Sequence, residues 1–370
     1  YAGVASFGPY QVLYYQSLSL TGSQIGLLVG STPLVTLVSV PFLTSLADRT
    51  NKHRLIMSLS LLVIVSILII IPFTKTFIPL FGLAILFSIF FSSTIPLSNS
   101  ATMFMLADRK EMYGRIRLGG TIGFGIVAIV AGSLVENHGL KLAYWSAAGL
   151  FLIALLVSQK LVHGEGASQK LADRGRAIDV LKNPHFLLFL LIGLCGGISF
   201  ATLNTYLFPF MKTLGAGEGL MGLALTIGTL VEIPVLFFAN RLIQRFRAYT
   251  ILIFSLCMTC LRFLLLVVAP NPTFVLFVQL LNGLNYPLLT VAGVTYADQH
   301  APEGYRATTQ GLFNATMGGV GAAVGGFMGG LLFESVGAKG MYLVFFSFVA
   351  FILVFVSLVH RMLPPEKDVV

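Results

Sequence analysis

The chain consists of long apolar stretches separated by short polar connections. Each stretch is about 20 residues or longer, which is enough for an α-helix to cross the hydrocarbon core of a bilayer. The stretches are continuously apolar and do not alternate from residue to residue, which argues against an outer-membrane β-barrel. Twelve stretches are predicted to be transmembrane helices: 2–20, 23–46, 55–73, 77–106, 115–136, 140–160, 184–211, 218–240, 248–269, 273–297, 305–334 and 340–362.

The longest polar segment divides the twelve predicted helices into six and six. We therefore expect a first bundle over 1–160, a cytoplasmic linker over 161–183 and a second bundle over 184–370. Two halves related by an axis along the membrane normal, with a substrate site near the midplane between them, are an established transporter plan. The predicted fold class is an all-α membrane protein with two pseudo-symmetric six-helix bundles.

Composition and charge support this interpretation. The 370 residues are 56% hydrophobic and 10% charged, with a mean hydropathy of +0.90, whereas soluble domains carry roughly 25% charged residues. Of the 23 Lys and Arg residues, 18 fall on one predicted side and four on the other. The positive-inside rule assigns the basic side, with both termini, to the cytoplasmic face of the inner membrane. The net charge of +9 therefore indicates topology, and no nucleic-acid partner is expected.

The sequence offers little to support an enzyme. It contains no Gly-rich phosphate loop, zinc-ligand cluster or nucleophile elbow, and its six histidines lie at predicted loops or helix ends. The three cysteines all fall inside apolar stretches, so no disulfide framework is indicated. We expect no enzymatic activity, cofactor or metal. The expected partners are a small-molecule substrate and membrane lipid, and the chain is expected to act as a monomer.

Two ionisable residues interrupt the predicted helices. Glu232 lies within TIGTLVEIPVLFFA, and Arg262 lies within LIFSLCMTCLRFLLLVV. A charged side chain at lipid depth costs about 2.5–3.5 kcal/mol on insertion scales, so it usually faces a partner, a cavity or a permeation path. The helical rise of about 1.5 Å per residue puts Glu232 near mid-membrane and Arg262 somewhat outward of it. The two residues could pair directly, or either could be a satisfied structural charge.

Uncharged polar residues in the helices mark a candidate substrate cavity. Gln279, Asn282 and Tyr286 recur at three- and four-residue steps, so they share a helix face, with Asn285 beside them. A buried amide needs a partner, which either a water-filled cavity or an interhelical hydrogen bond supplies. Amides and tyrosines together suit a hydroxylated or aromatic solute. The predicted cavity residues are Gln11, Tyr14, Tyr15, Asn99, Asn204, Gln279, Asn282, Asn285, Tyr286 and Asn314.

The segment Thr44–Arg54, TSLADRTNKHR, resembles the cytoplasmic signature G-x-L-A-D-R-x-G-R-R of the major facilitator superfamily. Asp48 and Arg49 match this signature, whereas Thr44 and Asn51 replace its glycines. In that superfamily the aspartate holds a cytoplasmic gate through basic residues. An ordinary positive-inside cluster is the alternative interpretation. The resemblance implies a cytoplasmic gate made of Asp48, Arg49, Arg115 and Arg117.

A second segment, YGRIRLGGTIGF from Tyr113, resembles the phenylpropionate permease branch of the superfamily, close to the oligosaccharide and nucleoside proton symporters. Similar features recur in EIPVLF from Glu232, in Arg262 with the aromatic residue after it, and in TQGLFN from Thr309. The resemblance therefore covers nearly the whole chain. The G-P-x-x-G-G motif of antiporter branches is absent from the fifth predicted helix, which favours import over drug efflux.

The resemblance implies a secondary active transporter that takes up a sugar, nucleoside or aromatic acid by proton symport and alternating access. Glu232 and Arg262 would then belong to the coupling machinery, since a carboxylate removed from water can exchange protons near neutral pH. The chain departs from the branch at Asn99, where an acidic residue is common, and at Thr290, where a histidine is common. Efflux antiport and uniport remain alternatives.

Overall fold

A computed structural model describes residues 1–107, 109, 112–162, 183–301 and 305–363 of the chain. These residues are almost entirely helical. In chain order, their α-helices are α1 (Ala2–Phe7), α2 (Gln11–Ser17), α3 (Gly22–Thr50), α4 (His53–Ile70), α5 (Phe77–Leu106), α6 (Tyr113–His138), α7 (Lys141–Ser158), α8 (Pro184–Thr213), α9 (Glu218–Arg245), α10 (Ala248–Val268), α11 (Pro272–Val278), α12 (Asn282–Gln299), α13 (Arg306–Asn314) and α14 (Ala322–Met362).

The twelve predicted crossings are confirmed, although three of them, the first and the last two, are formed differently from the others. Ten helical segments in the described chain are long and apolar enough to span a membrane. The first crossing is not among them, because the 3₁₀ turn Gly8–Tyr10 divides it into α1 and α2. The last of the ten contains two crossings, since Gly337 breaks α14 with a φ of 74° and a ψ of 174°. Glycine adopts this conformation at little steric cost.

Two compact units can be distinguished, Tyr1–Gln169 with Ala216–Thr226, and Lys170–Gly215 with Ile227–Val370. The predicted linker 161–183 falls largely on residues 163–182, which lie outside the described part of the chain. The predicted domain boundaries therefore remain predictions. The all-helical class with two bundles is the observed fold.

Aromatic side chains fill the core of the first unit. The rings of Phe7 and Phe87 meet edge to face at 5.4 Å between centroids, and those of Tyr14 and Tyr144 do so at 4.8 Å. Such pairs contribute about 0.5–1.5 kcal/mol beyond the apolar area that they bury. These contacts join α1 and α2 to α5 and α7, so the divided first helix is held by its aromatic residues.

The first turns of α9 are fixed against α6 by polar contacts within the first unit. The Glu136 carboxylate accepts a hydrogen bond from the backbone N–H of Gly219 at 3.1 Å. Two turns further along α9, the Thr226 hydroxyl donates to the carbonyl of Gly125 at 3.0 Å. A carboxylate at a helix N-terminus contributes about 0.3–1 kcal/mol. The start of α9 is thereby anchored before the helix reaches Glu232.

In the second unit, glycines allow α8 to approach α14 and the π-helical turn Ala315–Gly321 closely. A Cβ atom added at Gly197 would overlap the backbone carbonyl of Met317, and one added at Gly325 would overlap that of Ile198. Helices in lipid associate through this kind of close packing, since there is no hydrophobic drive between them. The four-residue glycine spacing of Gly321, Gly325 and Gly329 is therefore used for contact with α8.

We expect Gly325→Ala to lower the stability of the protein, because the added methyl group would overlap the carbonyl of Ile198 on α8. Overpacking of this kind costs about 1–3 kcal/mol. The measurement is the thermal unfolding midpoint of the purified protein in detergent. Gly318→Ala is the matched control, since its Cβ would meet nothing within 4 Å. Equal effects of the two substitutions would contradict the packing explanation.

Candidate functional site

A polar network connects α9, α10 and α12 inside the second unit. Arg262 of α10 is only 3% exposed, and its guanidinium donates to Asn282 Oδ1 at 2.5 Å and to Gln279 Oε1. Asn282 in turn donates from Nδ2 to Glu232 Oε1 at 2.7 Å. Within the described residues, no ion pair joins Glu232 and Arg262 directly. We call Glu232, Asn282, Arg262 and Gln279 the charge network.

A local change of helix type brings the two amides of this network together. The 3₁₀ turn Gln279–Leu281 separates α11 from α12, and Asn282 is the first residue of α12. Side chains at positions i and i+3 eclipse in a 3₁₀ helix. Gln279 and Asn282 therefore project in the same direction and reach the same guanidinium. A straight α-helix would separate them by about 60° around the axis.

A close approach of α9 and α12 lets the short Asn282 side chain reach both neighbouring helices. A Cβ atom added at Gly283 would lie 2.6 Å from the carbonyl oxygen of Val231 on α9. At this separation, Asn282 Nδ2 also lies 3.3 Å from the carbonyl oxygen of Gly228, to which it donates. Gly228 is one helical turn before Glu232. The amide of Asn282 is thus held by the backbone and by the carboxylate of α9.

Arg262 and Gln279 retain donors that no side chain or carbonyl of the described residues accepts. These are the Nε–H of Arg262 and the Nε2 group of Gln279. A buried donor without an acceptor costs about 1–3 kcal/mol. Both amide atoms of Asn285, which is 4% exposed on α12, likewise lack a partner among the described residues. These buried groups therefore have hydrogen-bonding capacity that the described residues leave unused.

A stacked aromatic pair lies one helical turn from the network. Phe200 of α8 and Tyr286 of α12 stack with ring centroids 3.7 Å apart and planes inclined by 18°. Asn204 lies one turn after Phe200 on α8 and is exposed. Its side-chain amide donates to the carbonyl of Phe200 at 3.0 Å. Phe200 is not among the predicted cavity residues. Its position four residues before Asn204, on the same helix face, was the available signal.

Three of the four predicted cavity residues of the first unit, Gln11, Tyr14 and Tyr15, make hydrogen bonds within that unit. Tyr14 and Tyr15 are 2% and 1% exposed. The Tyr14 hydroxyl donates to the carbonyl of Ile71 at 3.2 Å, and Gln11 Nε2 donates to the Tyr15 hydroxyl at 2.9 Å. Asn99 is half-buried on α5. A substrate role for these residues remains a prediction.

The structure brings together only some of the polar residues predicted on the second unit. Gln279 and Asn282 join the charge network, and Tyr286 joins the aromatic pair. Asn314 lies exposed at the end of α13. Thr290, at the position where the related branch often has a histidine, donates to the carbonyl of Tyr286 at 2.8 Å. Its hydroxyl is used within its own helix.

Asp48 of the predicted cytoplasmic gate pairs with His53, which is not among the predicted gate residues. The Nε2 atom of His53, at the start of α4, lies 2.9 Å from Asp48 Oδ1. His53 is buried, whereas Asp48 and its neighbour Arg49 are exposed. His53 occupies one of the basic positions of the facilitator signature, which was the signal for it. The role of Asp48 and Arg49 in a gate remains a prediction.

The basic residues of the predicted gate on α6 are only partly described. Arg117 is exposed, and its Nη1 donates to the Tyr113 hydroxyl one turn earlier at 3.3 Å. The side chain of Arg115 lies outside the described part of the structure. The part of these two arginines in a gate likewise remains a prediction.

Twelve crossings arranged in two bundles, with a charged network among the helices, define a membrane transporter of the major facilitator fold. The family model that matches the chain is the MFS_1 like family, over residues 1–360, and the chain belongs to that family. The predicted superfamily resemblance is thereby confirmed. Its relatives include transporters and permeases, and the protein is a transporter and not an enzyme.

Several known proteins are similar over nearly their whole length. The uncharacterized transporter YwbF of Bacillus subtilis is 28% identical, over 93% of this chain and 87% of its own. The maltose permease of Geobacillus stearothermophilus is 26% identical over 96% and 90%, and the xanthosine permease of Escherichia coli is 25% identical over 95% and 90%. The crystal structure of the nucleoside transporter NupG matches with a TM-score of 0.85 and 17% identity, over 96% and 95%. The structural match supports the fold.

We expect Arg262→Lys to destabilise the protein although it preserves the charge. A lysine ammonium lacks the rigid planar fork that reaches Asn282 and Gln279 together, so one buried amide oxygen would lose its partner. The cost is about 1–3 kcal/mol, measured as a lower thermal unfolding midpoint in detergent. Arg361→Lys, at an exposed position on α14, is the control and should leave the midpoint unchanged. A stable Arg262→Lys protein would show that the forked contacts are dispensable.

Proposed function

We propose that the protein is a proton-coupled importer of a small polar organic solute that contains a ring, and that it works by alternating access. Glu232 carries the coupled proton, and Arg262 modulates it. The observation that carries this proposal is the charge network, in which a membrane-embedded carboxylate is linked through Asn282 to a buried guanidinium. Ionisable residues inside membrane helices typically mark proton relays or substrate paths.

The two charged groups differ in their access to solvent. Glu232 is half-buried, whereas Arg262 is buried and its guanidinium stays charged at any physiological pH. The network is neutral while Glu232 is ionised, and it carries one positive charge once Glu232 binds a proton. In surroundings of low dielectric constant a change of one unit charge has a large energetic effect. Proton binding at Glu232 can therefore shift the balance between two conformations of the transporter.

The surroundings of the network favour a hydroxylated ring as the solute. The stacked pair Phe200 and Tyr286 offers apolar ring surface, and the remaining donors of Arg262 and Gln279 suit hydroxyl or carbonyl oxygens. Two arms of the guanidinium already bind Asn282 and Gln279, so bidentate capture of a carboxylate would require them to rearrange. The names of the maltose and xanthosine permeases support a sugar or a nucleoside. Aromatic acids form the third class to test.

We further propose that both termini face the cytoplasm, that the protein acts as a monomer in the inner membrane, and that no cofactor takes part. The uneven distribution of Lys and Arg supports the topology. On this topology Asp48, Arg49, Arg115 and Arg117 lie at the cytoplasmic ends of α3 and α6, where they act as the inner gate. The pairing of Asp48 with His53 at 2.9 Å supports a role for this aspartate in holding helix ends together.

The first test of the proposal is solute-driven proton movement in proteoliposomes. Inward gradients of sugars, nucleosides and aromatic acids are applied while internal pH is recorded. We expect at least one solute class to carry protons inward with the unmodified protein. Glu232→Gln should abolish the proton movement and retain solute exchange, because the amide preserves the shape of the side chain and cannot titrate.

Glu334→Gln is the matched control, because it removes an exposed carboxylate and should leave proton movement unchanged. Solute exchange without proton movement in the unmodified protein would indicate uniport or another coupling ion. Proton movement opposite in direction to the solute would indicate antiport. Either result would contradict the proposed symport.

A second experiment tests the aromatic pair as part of the solute site. Tyr286→Leu removes the ring that stacks on Phe200, whereas Tyr286→Phe keeps it. Loss of about 1 kcal/mol of stacking corresponds to a rise of about five-fold in the KM for uptake. We expect this rise for Tyr286→Leu and a KM near that of the unmodified protein for Tyr286→Phe. The same KM in all three proteins would place the solute elsewhere.

A further inference from the structure

The side-chain amide of Asn282 has only one orientation that its neighbours allow. A guanidinium donates hydrogen bonds and accepts none, so the atom that faces Arg262 at 2.5 Å must be the amide oxygen. The Nδ2 group then lies on the other side, 2.7 Å from Glu232 Oε1 and 3.3 Å from the carbonyl oxygen of Gly228. Both of these neighbours are acceptors, and Nδ2 has two hydrogens. The assignment of oxygen and nitrogen in this amide therefore follows from hydrogen-bond chemistry.

This orientation distinguishes the two oxygens of Glu232. Oε1 accepts the hydrogen bond from Asn282. In a protonated carboxyl group the carbonyl oxygen is a stronger acceptor than the hydroxyl oxygen. The bond from Asn282 is therefore retained best when a proton binds at Oε2 and Oε1 remains the carbonyl oxygen.

Asn282 also separates two opposite charges. Direct contact between a guanidinium and a carboxylate strongly favours the ionised carboxylate, which opposes proton binding. In this structure the amide lies between the two groups and makes a hydrogen bond to each. Arg262 of α10 is the charged group that faces Glu232, and Tyr342 of α14, which is neutral at physiological pH, is the titratable group beside Arg262. The amide thus keeps Arg262 close enough to influence Glu232 and prevents direct contact.

We propose that Asn282 is a positioning residue for coupled transport, which directs the proton of Glu232 to Oε2 and holds Arg262 one amide away from the carboxylate. This inference rests on the proposed function of Glu232 as the proton site. It differs from the substrate contact predicted for Asn282 from the sequence, because the carbonyl oxygen and both amide hydrogens of Asn282 are used by Arg262, Glu232 and Gly228.

The decisive substitution is Asn282→Asp, which keeps the shape of the side chain and replaces the amide by a carboxylate. One oxygen of the new carboxylate can still accept from Arg262, but the other now meets Glu232 Oε1. Two carboxylates in contact disfavour a state in which both are ionised. We expect the pH of half-maximal solute-driven proton movement to rise by about one unit or more. An unchanged pH profile would overturn the proposal.

Asn137→Asp is the matched control for Asn282→Asp. It makes the same chemical change at an exposed position near the end of α6, where the amide donates to the carbonyl of Ser133. Its pH profile should coincide with that of the unmodified protein. A similar shift in both variants would overturn the proposal, because any added negative charge would then suffice.

The double substitution Glu232→Gln with Asn282→Asp covers the case in which Asn282→Asp does not fold. It exchanges amide and carboxylate across the same hydrogen bond, so positions 232 and 282 keep one donor facing one acceptor, and only the bond from Asn282 to the carbonyl of Gly228 is lost. The new carboxylate then touches Arg262 directly, without an amide between them. We expect solute exchange without proton movement. Proton movement equal to that of the unmodified protein would overturn the proposal.

The outcome for Glu232→Gln alone separates this inference from the proposed function on which it rests. Proton movement that persists in Glu232→Gln would remove Glu232 as the proton site. Loss of proton movement in Glu232→Gln, together with an unshifted pH profile in Asn282→Asp, would leave the proposed function standing and remove the positioning role of Asn282 alone.

Discussion

A guanidinium buried among transmembrane helices must be surrounded by acceptors, and this requirement organises the second unit around Arg262. Removal of an ion from water costs several kcal/mol even after the protein relaxes, so its hydrogen bonds have to be supplied by fixed groups. Gln279 and Asn282 supply amide oxygens, and Glu232 balances the charge through Asn282. The result links three helices and leaves the carboxylate without direct contact to the cation.

Helix packing and the polar network depend on each other. The amide of Asn282 spans the distance to α9 only because Gly283 lets the two backbones approach. The same closeness brings the carbonyl of Gly228 within 3.3 Å of Asn282 Nδ2, which satisfies the second amide hydrogen. In lipid, where apolar surfaces gain little by meeting, small residues and interhelical hydrogen bonds are the principal sources of association. The network therefore contributes to both the architecture and the chemistry of the unit.

The sequence predicts the helices well, because lipid requires every exposed backbone group to bond within its own segment. The stretch 77–106 coincides with α5. The local break at Gln279–Leu281 was not predicted, since a short 3₁₀ turn leaves the apolar pattern unchanged. Glu232 and Arg262 are conspicuous in the sequence as charges among apolar residues. The contact of Asn282 with both Arg262 and Glu232 was not predictable, because the 3₁₀ turn before α12 decides which amide side chains face the guanidinium.

If the protein has the proposed function, the position of the aromatic pair and the charge network on α12 suggests how solute binding and proton binding act on each other. Tyr286 carries one ring of the aromatic pair, and Asn282, one turn earlier, carries the link between Glu232 and Arg262. A helix moves as a rigid element, so a solute that displaces Tyr286 would also displace the amide of Asn282. The 3₁₀ turn at the start of α12 is a natural place for such a rotation, since 3₁₀ segments within helices often mark hinges. Protonation of Glu232 would weaken the hydrogen bond that it accepts from Asn282. Proton binding would therefore favour the same rotation of α12 as solute binding. Under the proposed function, coupling between solute and proton would require no direct contact between them, because α12 would transmit it.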